Sequence, residues 1–408
     1  MERVVERFLD YAKEHTTSDP KSGTFPSTER QKAFARKLAD ELKLIGAADA
    51  GVDENSYVAA TILSNLEGSF PVVGFIAHMD TSPDFAGENV RPQMIEKYDG
   101  KPVELTSNVT ISPGDFPELL NYKGQTIITS DGTTLLGADD KAGIAEIITA
   151  AEILLKNKHI KHGVIKICFT PDEEIGRGAD FFDVKKFGAD FAYNLDGSEI
   201  GELEYENFNA AYAKITVRGK SVHPGTAKNR MVNASLVANK FISLLPQAQR
   251  PEHTEKYEGF FHLLSFYGNV EKVELEYLVR DHDTEKFRAK KKLLHQVAGF
   301  INQEYGREVA VVELKDQYYN MREKVEPVRH VIEIAEKAML EAGVSPKIKA
   351  IRGGTDGARL SYEGLPCPNI FTGGHNFHGP YEFIPVPSML KAVEVILNIC
   401  RLIPEMKK

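Results

Sequence analysis

The chain has 408 residues, with 50 lysines and arginines against 59 aspartates and glutamates, and its formal charge at pH 7 is -9. This charge argues against nucleic acid as a partner. The length favours two domains over a single core. The sequence has no run of about 18 consecutive apolar residues, which excludes a membrane span. The cysteines Cys168, Cys367 and Cys400 are too far apart for a disulfide framework or a zinc ribbon, and they fit a reducing compartment.

The chain begins with a charged amphipathic helix, Glu2–Glu14, which does not resemble a signal peptide and so indicates a cytoplasmic protein. Further along, the apolar run Val72–Ala77 predicts a buried strand that leads into His78-Met79-Asp80. Residues two apart on an extended chain point to the same side, which suits a metal ligand at His78 and an orienting carboxylate at Asp80. Taken alone, the pattern also fits a histidine of the core.

Two adjacent aspartates stand at the start of the next predicted helix. The sequence LLGADDKAG contains Asp139 and Asp140 and opens the apolar helix Ile144–Leu155. Aspartates at a helix N-terminus are often caps, but a cap needs only one of them. A carboxylate that lies between two cations can use both of its oxygens as a bridge.

Two adjacent glutamates follow the strand predicted at Val164–Phe169. They are Glu173 and Glu174 in the sequence FTPDEEIGRG. Neighbouring residues of an extended chain point in opposite directions, so one glutamate can bind a metal while the other meets a different atom. The competing interpretation is a solvated acidic turn, because Asp and Glu side chains are mostly exposed.

A fourth strand, predicted at Phe191–Leu195, ends in Asp196. Ligands tend to bind at the carboxyl ends of the strands in α/β sheets, and here four strand ends carry residues that can bind a metal. Mixed histidine and carboxylate ligands suit Zn²⁺, Co²⁺ or Mn²⁺. Because these strand ends supply only one histidine, we expect a second histidine ligand from later in the chain.

The middle of the chain has the element order β-α-β-β-α-β, which predicts a ferredoxin-like domain inserted at residues 209–320. Its two notable polar residues are His223, in the turn Ser221-Val222-His223-Pro224-Gly225, and Arg280, at a strand end. The alternatives are an exposed loop histidine and an arginine in a surface ion pair.

Two glycine-rich segments follow the insert. The sequence IRGGTDGARLS contains Arg352, whose planar guanidinium suits a carboxylate. The sequence FTGGHNFHGPYEF contains His375 and His378. His378, close to Glu382, is the better candidate for the missing ligand, but spacing alone does not decide between the two histidines.

Six motifs together resemble a known family. In chain order they are HMDTSPD, LLGADDKAG, FTPDEEIGRG, HPGTAKNRMVNA, RGGTDGARLS and TGGHNFHG. Over nearly the whole chain they resemble the tripeptide aminopeptidases of the dinuclear-zinc exopeptidase family, which also holds carboxypeptidase G, succinyl-diaminopimelate desuccinylase and aminoacylases. The resemblance is specific, because the pattern common to the family needs only the metal ligands.

The resemblance implies two Zn²⁺ ions per subunit, with Co²⁺ or Mn²⁺ as substitutes. The implied ligands are His78, Asp139, Glu174, Asp196 and His378, with Asp139 as the bridge and a cis peptide bond after it. The family's usual assignment puts His78 and Asp196 on one ion and Glu174 and His378 on the other. The spacing of the residues does not distinguish these pairings.

The resemblance also implies roles in hydrolysis. Glu173 is the general base, and Asp80 orients the histidine of its own motif. For the insert, we expect His223 to donate to the oxyanion and Arg280, together with Arg352, to hold the terminal carboxylate of the peptide. The insert would then close over the site or reach it from a second subunit of a homodimer.

The expected fold is α/β: a zinc-exopeptidase-like catalytic domain at residues 1–208 and 321–408, with a mixed central sheet flanked by helices, and an inserted ferredoxin-like lid or dimerisation domain. The expected function is release of the N-terminal residue from tripeptides, with small peptides as the only partners besides a second subunit. The alternatives are a sister enzyme (a dipeptidase, carboxypeptidase or N-acyl deacylase) and a metal-dependent binding protein without activity.

Overall fold

The computed structural model describes residues 2–106 and 108–405. The terminal residues 1 and 406–408, which the sequence assigns to the catalytic domain, lie outside the described residues. The chain forms two compact units: Met1–Tyr205, Glu323–Lys349 and Thr355–Lys408 make the larger one, and Glu206–Arg322 with Ala350–Gly354 make the smaller one.

The bounds of the regular elements in the described residues are as follows. The strands are β1 (Ala48–Val52), β2 (Val58–Ile62), β3 (Val73–His78), β4 (Gln93–Ile95), β5 (Val103–Glu104), β6 (Thr110–Ile111), β7 (Ile127–Thr129), β8 (Ile165–Thr170), β9 (Phe191–Gly197), β10 (Glu202–Asn207), β11 (Asn209–Arg218), β12 (Phe260–Gly268), β13 (Lys272–Asp281), β14 (Ala310–Tyr318), β15 (Lys347–Ile351), β16 (Asn369–Phe371) and β17 (Phe383–Pro385). The α-helices are α1 (Glu2–Tyr11), α2 (Glu29–Ile45), α3 (Ala138–Lys156), α4 (Val184–Phe187), α5 (Ala234–Leu244), α6 (Thr284–Tyr305), α7 (Arg322–Val325), α8 (His330–Glu341), α9 (Asp356–Tyr362) and α10 (Val386–Leu402). Among the described helices, none is long and apolar enough to cross a membrane.

The larger unit is built on an eight-stranded mixed sheet with the order β1-β2-β8-β3-β9-β16-β10-β15. Its central strands β8, β3, β9 and β16 run parallel, whereas β1 pairs antiparallel with β2, β2 with β8, and β10 with β16. All six residues of β3 are buried, as expected for a parallel strand that is covered on both faces. The predicted mixed sheet with flanking helices is confirmed.

The parallel strands bring their carboxyl ends to one edge of this sheet. β3 ends at His78, β8 at Thr170 and β9 at Gly197, so the segments that follow β3 and β8 start side by side. The helix α3 contacts β3 and β9 and brings its first turn to the same edge. Gly143 permits this approach, because a Cβ there would lie 2.4 Å from the carbonyl oxygen of Leu195.

The smaller unit has a four-stranded antiparallel sheet with the order β12-β13-β11-β14, and α5 and α6 lie against it. Its element order is the β-α-β-β-α-β predicted from the sequence. Inward residues alternate along β11, where Ala213, Ile215 and Val217 join a core with Phe241 and Leu294. This unit also includes Ala350–Gly354, a segment that the sequence places in the other domain.

Candidate dinuclear metal centre

His78 lies at the end of β3 and is 2% exposed. Its Nδ1 lies 3.0 Å from the carbonyl oxygen of Asp80, and its Nε2 lies 2.8 Å from Oδ1 of Asp139 and 3.5 Å from Oδ1 of Asp196. Burial lowers the pKa of His78, but hydrogen bonds to these carboxylates outweigh burial and raise it well above its usual value. The same concentration of negative charge attracts a divalent cation.

Asp139 lies between two imidazoles. Its Oδ1 faces His78, and its Oδ2 lies 3.3 Å from Nε2 of His378. The peptide bond between Asp139 and Asp140 is cis, as the resemblance implies. Asp140 is turned elsewhere: its Oδ2 accepts the backbone N–H of His78 at 3.0 Å, and its Oδ1 has no hydrogen-bond partner among the described residues.

The remaining carboxylates are divided between the two histidines. Oε2 of Glu174 lies 3.0 Å from Nε2 of His378, whereas Asp196 lies beside His78. Oδ2 of Asp196 also accepts hydrogen bonds from Nδ2 of Asn194 at 3.2 Å and from the Thr355 hydroxyl at 3.3 Å, which fix its orientation. His78 with Asp196, and His378 with Glu174, therefore form two groups with Asp139 between them.

The donor set fits divalent cations. Ligand atoms of His78, Asp139 and Glu174 lie within 4.8 Å of one another, and so do those of His78, Asp140 and Asp196. Oε1 of Glu174 is buried without a hydrogen-bond partner among the described residues. Nitrogen and carboxylate oxygen donors in such groups suit Zn²⁺, Co²⁺ or Mn²⁺. Asp140 competes with Asp139 by proximity, but only Asp139 contacts both histidines.

Asp80 joins His78 to the glutamate turn. Its side chain is fully buried, and its two carboxylate oxygens accept the backbone N–H groups of Glu173 at 3.0 Å and Glu174 at 3.2 Å. Its Oδ1 also lies 3.5 Å from Nδ1 of His78. One carboxylate thus orients the histidine and holds the turn that carries both glutamates.

The glutamate turn is a single 3₁₀ turn, Glu173–Ile175, which follows β8. Asp172 precedes it with a φ of 59° and accepts hydrogen bonds from the backbone N–H of Ser27 and from the side chain of Gln31. Burial raises the pKa of Glu173 well above its usual value, and the negative charge of Asp196 adds to this shift. A carboxylate of raised pKa suits proton transfer.

The two histidines of the FTGGHNFHGPYEF segment have different surroundings. His375 is buried, forms a 2.7 Å hydrogen bond with the Tyr122 hydroxyl and stacks on Phe383. Burial lowers the pKa of His375 to about 4. His378 instead directs Nε2 at Asp139 and Glu174, as the prediction of His378 as a ligand requires.

Two side chains of the centre are missing from the sequence-based set. Oδ2 of Asp84 lies 3.2 Å from Nδ1 of His378. Glu382 accepts four backbone N–H groups at the start of α3. Burial raises the pKa of Glu382 to about 7, while the N–H groups oppose this shift. Asp84 belongs to the motif HMDTSPD, and Glu382 follows His378 by four residues. These positions in the sequence do not indicate that Asp84 contacts the ring of His378 or that Glu382 contacts the backbone of α3.

The three residues expected to contact the substrate, His223, Arg280 and Arg352, all lie in the smaller unit. His223 is exposed, and its Nδ1 accepts the backbone N–H of Gly225 at 3.1 Å. Arg280 is mostly buried, donates from Nη1 to Oε1 of Gln317 at 2.9 Å and lies over the ring of Tyr318. The predicted metal ligands belong to the larger unit.

Arg352 belongs to the smaller unit because its guanidinium is bound there. It lies over the rings of Phe208 and Phe260. Its Nη1 donates to the carbonyl oxygens of Lys256 at 2.6 Å and Glu258 at 3.0 Å. Nη2 donates to the Thr254 hydroxyl at 3.1 Å. In this structure Arg352 therefore holds the loop 254–258, and its predicted contact with substrate stays a prediction.

Comparison with known proteins identifies the family. The sequence pattern of peptidase family M20/M25/M40 matches residues 129–401. The chain belongs to this family. A peptidase T of Clostridium acetobutylicum is 58% identical over 407 residues, which are 99% of this chain and 100% of that protein.

Solved structures of M20 peptidases and their relatives share the fold. A tripeptidase of Staphylococcus aureus superposes with a TM-score of 0.80 at 25% identity, covering 99% of each chain. A Bacillus subtilis protein described as a dinuclear metal-binding peptidase of the M20 family superposes with a TM-score of 0.69 at 17% identity, covering 100% of this chain and 99% of that one. At the lower identity the likeness shows the fold alone.

Proposed function

We propose that this M20 peptidase is a tripeptide aminopeptidase that binds two divalent cations, Zn²⁺ in the native enzyme, with Co²⁺ or Mn²⁺ as substitutes. The observation that carries the proposal is the Asp139 carboxylate, whose two oxygens face the Nε2 atoms of His78 and His378. The names of the relatives support peptide hydrolysis and tripeptides as substrates.

The residues that would hold the cations are Asp139 between both, His78 and Asp196 on one, and Glu174 and His378 on the other. When bound, two such cations lower the pKa of a water molecule and polarise the scissile carbonyl. The imidazoles are oriented for this task by Asp80 behind His78 and Asp84 behind His378.

Glu173 acts as the general base in this proposal. Its raised pKa favours acceptance of a proton from the attacking water and later donation of that proton to the leaving amine. The 3₁₀ turn supports the role, because Asp80 holds the backbone N–H groups of Glu173 and Glu174. One side chain of the turn then serves as ligand and its neighbour as proton carrier.

His223 supplies a donor to the oxyanion in this proposal. Since Nδ1 of His223 accepts the N–H of Gly225, the neutral ring carries its proton on Nε2. The exposed ring thus offers an N–H donor, the group that stabilises negative charge as it develops on the carbonyl oxygen. The smaller unit would deliver it by closing over the site, or across a homodimer.

Arg280 holds the terminal carboxylate of the peptide in this proposal. Among the described residues, no acceptor contacts its Nε or Nη2, so these N–H groups remain available for a carboxylate. Burial lowers the pKa of Arg280. The guanidinium group of arginine keeps its charge in proteins and matches the geometry of a carboxylate. Arg352 is the second candidate, although its Nη groups already donate to a loop of the smaller unit.

A substrate panel tests the proposed function. Metal-depleted and zinc-restored protein should be given matched dipeptides, tripeptides and N-acylated tripeptides. The proposal expects hydrolysis only after zinc is restored, with release of the N-terminal residue and a strong preference for the free tripeptide. Faster cleavage of the N-acylated peptide or of the C-terminal bond would favour the sister activities, and binding without hydrolysis would favour a binding protein. We place the enzyme in the cytoplasm, because Cys168, Cys367 and Cys400 are free thiols, which fit a reducing compartment.

A further inference from the structure

Glu382 lies at the first turn of α3, where it is 1% exposed. Its Oε2 accepts the backbone N–H groups of Leu136 at 2.6 Å and Gly137 at 2.9 Å. Its Oε1 accepts those of Ala138 at 2.6 Å and Asp139 at 3.2 Å. One carboxylate thus binds four consecutive backbone N–H groups, and the last of them belongs to the residue that faces both histidines.

The sequence around α3 explains why a distant carboxylate is needed. The first N–H groups of a helix have no partner within the helix, and a side chain at the N-cap usually supplies one. The residue before α3 is Gly137, with a φ of 80°, and it has no side chain for this purpose. Asp139 directs its carboxylate at the two histidines instead, and Oδ2 of Asp140 accepts the backbone N–H of His78. Glu382 therefore caps this helix from 243 to 246 residues away in the sequence.

The segment that carries Glu382 is also held in place by hydrogen bonds. Glu382 directly precedes β17, which pairs with β7. His375 and Phe383 exchange backbone hydrogen bonds of 2.8 and 3.1 Å, and these close the loop that carries His378. Glu382 lies at the base of this closed loop. Its carboxylate consequently links the segment that bears His378 to the segment that bears Asp139.

We propose that Glu382 is a positioning residue of the metal centre: its carboxylate sets the spacing between Asp139 and His378, and thereby the affinity for the cation that these two residues share. The inference rests on the proposed metal centre. It adds a residue that binds neither metal nor substrate and acts on the ligands only through four backbone N–H groups.

Replacement by glutamine tests this role with little change in shape. A glutamine has one acceptor oxygen, so Glu382→Gln leaves two of the four N–H groups without an acceptor and sets an amide N–H₂ against them. Loss of a group that orients metal ligands typically lowers metal affinity by roughly 10–100-fold. We expect Glu382→Gln to need roughly 10–100-fold more free Zn²⁺ for half-maximal activity, and to recover most of its kcat at saturating Zn²⁺.

A matched control separates positioning from general stability. Asp53 likewise accepts two backbone N–H groups in the larger unit, from Asn55 and Tyr57, both at 2.9 Å. Asp53→Asn should lower the melting temperature without moving the zinc requirement. If Glu382→Gln does not fold, Glu382→Asp provides the same measurement, since it keeps both oxygens but shortens the reach.

Direct metal analysis gives a second readout, the zinc bound per chain at limiting free Zn²⁺. We expect one ion to be lost selectively from Glu382→Gln. A folded variant with unchanged zinc content and zinc requirement overturns the inference. The variants Asp139→Asn and His378→Ala show which idea has failed: if they too keep all their zinc, the proposed metal centre is wrong, whereas if only they lose zinc, Glu382 has no positioning role.

Discussion

Nδ1 of His378 lies 3.2 Å from Oδ2 of Asp84, while Nε2 of the same ring faces the metal centre. Histidines that bind metals commonly donate their second ring N–H to a carboxylate, which fixes the tautomer and the orientation of the ring. The motif HMDTSPD therefore serves both histidines, because Asp80 stands behind His78 and Asp84 behind His378.

Asp84→Ala should weaken binding of one zinc ion by roughly 10–100-fold, because the ring of His378 loses the partner that orients it. The measurement is a titration of metal-depleted protein with Zn²⁺, followed by activity. Asp40→Ala is the control, since Asp40 is an exposed aspartate of α2 that pairs with Lys43 at 3.0 Å. If Asp84→Ala binds zinc as tightly as Asp40→Ala does, the contact between Asp84 and His378 does not contribute to zinc binding.

Replacing the two glutamates of the turn should have different effects on turnover and on metal content. Glu173→Ala should lose at least roughly 10²–10⁴-fold in kcat, the usual contribution of a general base, and keep both metal ions. Glu174→Ala should lose one ion. Zinc analysis of both purified variants beside the wild type decides the matter, and an equal loss of metal in the two would contradict this division of roles.

His223→Ala should lower kcat by roughly 10²–10³-fold, as expected when one donor to the oxyanion is removed. Zinc content should not change, because His223 is not a metal ligand in this account. Lys228 is exposed and follows the turn that contains His223, so Lys228→Ala is a control for disturbance of this segment. Unchanged kcat in the His223 variant would leave the smaller unit with a structural or dimer-forming role only.

Arg280→Ala should act mainly by raising KM, and the penalty should disappear for tripeptides whose terminal carboxylate is amidated. Arg352→Ala is the informative companion. A role in holding the carboxylate predicts the same pattern, whereas a role confined to the loop 254–258 predicts an equal penalty for free and amidated peptides. Steady-state kinetics with the two substrates distinguishes these outcomes for each arginine.

The sequence predicts those parts of the centre that lie at strand ends. These residues follow or adjoin apolar runs: His78, the Asp139-Asp140 pair, Glu173, Glu174 and Asp196. The strands β8, β3 and β9 are parallel neighbours, so they bring these residues to one edge of the sheet. The choice of Asp139 over Asp140 needed the resemblance, because adjacent aspartates have the same local pattern.

The contacts that spacing does not reveal are those between loops far apart in the chain. In the sequence, nothing distinguishes Glu382 and Asp84 from other acidic residues. In the fold, Glu382 contacts the start of α3 and Asp84 contacts the ring of His378. The predicted boundaries place Arg352 in the larger domain, because the insert is expected to end at Asn320. Its stacking on Phe208 and Phe260 draws residues 350–354 into the smaller unit.

The central claim is that Asp139 bridges two cations that are required for tripeptide hydrolysis. Its most direct test is the number of zinc ions bound per chain, measured together with tripeptidase activity, as metal-depleted wild type and Asp139→Asn are titrated with Zn²⁺. The account predicts two ions per wild-type chain, activity that rises as they bind, and an Asp139→Asn protein that fails to hold the pair and remains inactive. Full activity in the metal-depleted wild type, or an Asp139→Asn variant that binds two ions as tightly and works as fast as the wild type, would contradict it.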